Sequence, residues 1–391
     1  MRLMLLTDPM SIKTKPSAYS KVAAAIAQGI QGRHSVAHQP MLRANKMGLF
    51  VYKNLLIYPS GDEEFGEDVI ERNCFHFNAD AVMTLKDLYP LTRIMHMPLE
   101  WIPYVPVDSS PAGISITNRL KYAFKVVTMS EFGYKELQKE GIKSTLIPHG
   151  VGDEYQPIED RAQCRRRFFI KPEEFIIGFV GKNQERKNIP RVIEIMKATR
   201  EMNPDVDVKG FLWTNIDKDI PLKPMIINTG MGEHIHWPNP DMYEHGLPEA
   251  NMAEMYNAFD CTIGIGNEGF WMPGLESLAC GTPLITVDYA AAADRVGRSC
   301  GYKIRVKDWT YNNPVGVRQP IVNVLDAARQ ITKIINMGRD SYTQGCVREA
   351  KKYLWPKIIE EKWVPFLEAC EEELLPLVRD GKITRWDQEV G

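Results

Sequence analysis

The 391-residue chain lacks several features that would define its class at once. No stretch approaches the roughly 20 apolar residues that a membrane-spanning helix needs, so the expectation is a soluble protein, at most peripheral at a membrane. The opening run Met1–Leu6 stops at Thr7-Asp8-Pro9, too short for a secretory h-region, and reads instead as a first strand. The seven cysteines are scattered, odd in number and without a Cys-x-x-Cys pair. This argues against a disulfide framework or a zinc site and fits a reducing cytoplasm. His234 and His236 have no third ligand at metal spacing and read as two polar residues on one face. With a formal net charge of −2, nothing global advertises a nucleic acid partner. Internal repeats and low-complexity segments are also missing.

What the chain does have is alternation. Strand patterns at Leu3–Thr7, Leu55–Tyr58, Ala81–Leu85, Arg93–His96, Val126–Met129 and Ser144–Ile147 are interleaved with helical ones at Tyr19–Gln31 and Glu131–Glu140. Val151–Pro157 has no period and reads as a linker. The alternation then restarts: strand Phe175–Val180, helix Ile189–Met202, strand Val206–Trp213, helix Met252–Ala258, strand Cys261–Ile265, helix Gly274–Ala279 and strand Pro283–Val287. After Ile321 the pattern is helical, over Val322–Asn336, Tyr342–Leu354 and Ile358–Leu374. Such alternation predicts an α/β fold of two doubly wound, Rossmann-like domains facing a cleft, with ligands at the carboxyl ends of the strands. The expected boundaries are 1–152 together with helices from about 355 to 391, and 153–354. The apolar face of Trp355, Ile358, Ile359, Trp363, Phe366 and Leu367 suggests a tail that crosses back to the first domain.

The most informative stretch is Asn267-Glu268-Gly269-Phe270-Trp271-Met272-Pro273-Gly274-Leu275-Glu276, followed by Leu278-Ala279-Cys280-Gly281-Thr282-Pro283. Glu268 falls at the carboxyl end of a strand, and Glu276, after seven intervening residues, on the next helix. Two such carboxylates can accept hydrogen bonds from sugar hydroxyls, while amides around Gly269–Trp271 can meet phosphate oxygens. A second stretch, Gly181-Lys182-Asn183-Gln184-Glu185-Arg186-Lys187-Asn188, puts cations between a strand end and a helix start, which suits a diphosphate.

The Glu-x7-Glu segment resembles the retaining GT-B glycosyltransferases of glycosyltransferase family 4 (group 1). The resemblance implies that Glu268 contacts the donor sugar, that Glu276 holds the nucleotide ribose, and that Lys187 with Lys182 or Arg186 neutralises the diphosphate. Gly269, Phe270 and Trp271 fall in the same donor-binding loop. His96, in Met95-His96-Met97-Pro98, matches a family histidine placed near the sugar, and Ile147-Pro148-His149-Gly150 matches the crossing between domains. The implied activity is transfer of a hexose or similar sugar from a UDP- or GDP-sugar to a hydroxyl acceptor, with no obligatory metal and no cofactor beyond the donor. Glycan, lipid, small molecule and modified DNA all remain open as acceptors, the last without support from charge. Two other readings stay open: a sugar-nucleotide epimerase, and a non-catalytic nucleotide-sugar-binding protein.

The sequence departs from the family pattern at four places. The loop Ser11–Ala18 has no paired glycines, and Lys182 stands where an arginine is usual. Trp271 replaces a glycine, so a positive φ there would strain it unless its ring covers the sugar. Asp294 replaces a glutamate.

Overall fold

A computed structural model describes residues 1–10, 17–312 and 316–379; most of the glycine-free loop Ser11–Ala18 lies outside that set. The chain divides into two compact units. The first comprises Met1–Val107, Pro111–Gly150 and the segment from Trp355 onward; the second comprises Asp108–Ser110 and Val151–Leu354.

In the first unit the strands are β1 (Arg2–Thr7), β2 (Ser35–Pro40), β3 (Phe50–Tyr52), β4 (Leu55–Ile57), β5 (Ala81–Leu85), β6 (Trp101–Val105), β7 (Val127–Thr128) and β8 (Thr145–Leu146). They form one sheet in the order β3-β4-β2-β1-β5-β6-β7-β8, parallel except for the β3–β4 hairpin. β1 and β5 are buried almost throughout, as parallel strands covered on both faces must be. The helix Ala18–Ile30 packs with small residues against this sheet and is capped by Ser17, which accepts from the Ser20 amide.

The segment from Trp355 belongs to this unit by close packing. A β-carbon on Gly29 would lie 2.6 Å from Cγ1 of Ile359, and one on Gly150 would lie 2.4 Å from Cδ2 of Trp355. Glycine is what lets both side chains seat. Trp363 is fully buried with its ring 5.1 Å from that of Tyr104. Tyr104 donates to the Ile147 carbonyl at 2.8 Å and pairs with His149 Nδ1 at 2.7 Å, fixing the Ile147–Gly150 segment.

The second unit carries β9 (Phe175–Val180), β10 (Val208–Trp213), β11 (Ile235–His236), β12 (Cys261–Gly264), β13 (Leu284–Val287) and β14 (Gly301–Ile304), all parallel in the order β11-β10-β9-β12-β13-β14. An antiparallel pair, β15 (Val306–Asn312) and β16 (Val317–Val322), follows. The chain winds outward from β9 on one side and restarts with β12 on the other, so the switch point lies between the carboxyl ends of β9 and β12.

Several expectations need correction. Arg93–His96 is not a strand: Ile94–His96 is a single 3₁₀ turn, and the strand at this level is β6. The helix Ile70–Phe77 and strands β2, β14, β15 and β16 were not anticipated. The tail helix begins at Trp355 itself, with Pro356 in its first turn, where a missing amide costs nothing.

Candidate functional site

The loops that leave β9 and β12 meet at the switch point. After β9 the chain runs through Gly181–Gln184 into a 3₁₀ turn, Glu185–Lys187, and Asn188 at φ 50° opens the helix Ile189–Met202. Buried Asn183 secures the first part of this loop by donating to the carbonyls of Asn215 (2.9 Å), Ile220 (2.7 Å) and Lys218. The turn itself rests on Gly266, where an added β-carbon would sit 2.3 Å from the Arg186 carbonyl oxygen. From the other side β16 braces it, because Gln319 Nε2 donates to the same carbonyl at 3.1 Å.

This bracing places two cations on one carboxylate. Lys187 Nζ is ion-paired with Glu268 Oε1, and Arg186 Nη1 lies 3.3 Å from Glu268 Oε2. The same Arg186 nitrogen donates to the Asn267 carbonyl at 2.7 Å, and Asn267 Nδ2 donates to the Arg318 carbonyl at 2.7 Å. Burial pushes the Glu268 carboxyl up, but Lys187 and Arg186 outweigh it and hold the group below its ordinary value. Burial also brings the Lys187 ammonium down to about 8, against the opposing pull of Glu268 and, more weakly, Asp108. Lys182, by contrast, four residues before Arg186, is exposed and has no part in the Glu268 ion pairs. Arg186 is therefore the cation that joins Lys187 on Glu268.

Glu276 lies on the helix Met272–Ala279, is 6% exposed, and accepts a 2.6 Å hydrogen bond from the Tyr256 hydroxyl. Gly269 is partly exposed between Glu268 and buried Phe270. Trp271 does adopt the conformation that favours glycine, φ 66° and ψ 70°. Its ring is buried, however. It is 4% exposed and packs against Gly264 and Gly274, where added β-carbons would fall 2.3 Å from its ring atoms. Two glycines thus make room for the indole, and its burial offsets the left-handed backbone.

His96 lies in the first unit, exposed on its 3₁₀ turn, with its ring 5.0 Å from that of Tyr122. Together with Thr92, Met95, Asn118, Arg119, Lys121 and Tyr122 it lines an open hollow of about 400 Å³. At the β1/β5 switch point of the same unit, Lys86 Nζ lies 2.7 Å from Asp8 Oδ1, and Ser17 donates to Asp8 Oδ2 at 2.7 Å.

Two Asp-x-Asp triplets occur, at Asp205–Asp207 and Asp217–Asp219, and Asp207 is paired with Arg200 and Lys209. Among the described residues no three His, Cys, Asp or Glu side chains gather as a metal site. Nor is any described helix long and apolar enough to cross a membrane.

Sequence reasoning missed Arg295. It is 3% exposed in the turn Ala291–Arg295, donating to the carbonyls of Phe270 and, at 3.2 Å, Trp271. The available signal was the charged pair Asp294-Arg295 directly after the small apolar run Ala290–Ala293.

Residues 160–309, which span both loops, match the family model of glycosyl transferases group 1. Over that segment the chain is similar to the group 1 glycosyl transferases. Among curated relatives, it is 26% identical over 241 residues to a D-inositol 3-phosphate glycosyltransferase of Geodermatophilus obscurus, covering 59% of this chain and 48% of that one. It is 22% identical over 160 residues to the lipopolysaccharide core biosynthesis mannosyltransferase LpsB of Rhizobium meliloti, covering 40% and 43%. The chain thus spans less than half the length of either relative. Its fold is that of the GT-B structures. It superposes on sucrose-phosphate synthase from Thermosynechococcus elongatus with a TM-score of 0.73 at 12% identity, over 95% of this chain and all of that one. For Anabaena HepE in complex with UDP the TM-score is 0.67 at 14% identity, over 94% and 100%.

Proposed function

We propose that the protein is a retaining, metal-independent glycosyltransferase that moves a hexose or similar sugar from a UDP- or GDP-sugar to a hydroxyl acceptor. The observation that carries this reading is the Arg186–Glu268–Lys187 cluster at the β9/β12 switch point, with Glu276 on the helix that follows. A cationic pair held by a carboxylate is preorganised for a second anion, and the diphosphate of a sugar nucleotide supplies one. The bond between the anomeric carbon and the diphosphate oxygen breaks. The acceptor oxygen forms the new bond, its proton passes to the departing diphosphate oxygen, and Arg186 and Lys187 stabilise the charge that remains on the diphosphate.

In this reading Glu268 accepts from hydroxyls of the transferred sugar, Glu276 from the ribose, and Gly269 and Phe270 shape the loop around the donor. Trp271 serves through its backbone. Lys182, exposed, is an outer contact at most. For His96 the support is the family resemblance alone, and loss of turnover in His96→Gln with nucleotide binding intact is its test. Retention and independence of metal likewise rest on the resemblance. HepE, described in complexes with UDP and UDP-glucose, makes UDP the first nucleotide to try.

Incubation with radiolabelled UDP- and GDP-sugars tests the reading. Transfer or slow hydrolysis that survives EDTA and yields product of unchanged anomeric configuration supports it. Release of an epimerised donor, or binding without any turnover, contradicts it.

A further inference from the structure

One turn holds three carbonyls of the donor loop. The Ala291 amide donates to the Glu268 carbonyl at 3.2 Å, and Arg295 Nη2 donates to those of Phe270 and Trp271. In a trans peptide the N–H points opposite to the C=O of the same plane. The amides of Gly269, Trp271 and Met272 are therefore turned away from the Ala291–Arg295 turn. Amides turned away from that wall, at the opening of the helix Met272–Ala279, suit an anion.

Arg295 is an expensive way to achieve this. Its Nε is buried without a hydrogen-bond partner. Its guanidinium instead sits 4.2 Å from the centre of the Phe270 ring and 5.8 Å from that of Tyr353. The turn that carries it opens on Ala290 at φ 55° and ψ −168°, a conformation almost confined to glycine. A buried charge and a strained backbone are thus spent on orienting three peptide groups.

We infer that Arg295 is a positioning residue: by fixing the two peptide planes between Phe270 and Met272 it presents the Trp271 and Met272 amides to the distal phosphate of a nucleoside diphosphate. This rests on the proposed donor site and adds a residue to it. Trp271, in a glycine conformation, leaves the loop dependent on this external clamp.

The test compares diphosphate with monophosphate. By calorimetry, the wild-type protein should bind UDP more tightly than UMP, or GDP more tightly than GMP. In Arg295→Met that preference should fall at least tenfold, with monophosphate affinity within about twofold of wild type. A purely structural residue would weaken both nucleotides together or neither. Arg295→Lys, which keeps the charge and loses the fork, should fall in between and covers the case in which Arg295→Met does not fold. Unchanged preference in either folded variant overturns the inference alone. A wild-type protein with no preference for the diphosphate overturns the donor-site reading as well.

Discussion

The two units share a doubly wound plan but use their switch points differently. Between β1 and β5 the first unit has one ion pair, Asp8–Lys86, steadied by Ser17. Between β9 and β12 the second unit assembles Arg186, Lys187 and Glu268, braced by Gly266, Asn267 and Gln319 and backed by Arg295. The topology only provides a crevice. What converts it into a charged, water-poor site is the density of buried polar contacts behind the loops. The units also differ in construction, since the second is nearly continuous in sequence whereas the first takes its last helices from beyond residue 354.

The harshest test of that difference is truncation after Tyr353. It removes half-buried Trp355 and buried Ile359 and Trp363 from the first unit, and losing a buried Ile or Trp side chain costs about 2–5 kcal/mol. Such a chain should show the first unit unfolded by hydrogen exchange while protection persists in the second. Uniform protection in both would deny the tail its part in the first unit's core.

Next in size, Lys187→Met should lower turnover by about 10²–10³-fold, the scale of a lost electrostatic stabiliser of developing charge. Because Lys187 must be protonated to act and sits at about 8 in the free protein, kcat/KM should be level below that pH and fall above it. Bound diphosphate favours the ammonium, so the corresponding limb in kcat should move to higher pH. A wild-type profile level to pH 10 would remove Lys187 from the reaction.

Glu276→Ala should weaken nucleotide binding by roughly 10- to 150-fold, since a hydrogen bond to a charged group contributes about 1.5–3 kcal/mol. Unchanged affinity in the folded variant would confine Glu276 to its contact with Tyr256. The smallest effect belongs to the other switch point: Lys86→Met should leave nucleotide affinity within about twofold. A loss as large as that of Glu276→Ala would erase the contrast between the units.

Much of the second unit was legible because its buried strands are rich in apolar residues and its candidate site residues cluster in the two loops that leave β9 and β12. Helix Ile189–Met202 was placed to the residue. β2 was missed since Ser35–Pro40 buries His38 and Gln39, polar residues that conceal a parallel strand. β15 and β16 were missed for a different reason: they pair mainly with each other, and Pro320 interrupts the usual strand composition. At Trp271 the sequence indicated strain correctly but not its resolution. That depends on Gly264, Gly274 and Arg295, which come together only in three dimensions. Lys182 shows the reverse case, a cation in the right segment whose side chain is directed to solvent while Arg186, four residues on, reaches Glu268.

The most direct measurement is hydrogen exchange with and without saturating UDP, or GDP if that is the nucleotide bound. Slowed exchange concentrated in residues 181–188 and 266–276 is what the account predicts, because those amides and the loops carrying them close on the diphosphate. Slowed exchange confined to the first unit, or none in either segment at saturation, would contradict it.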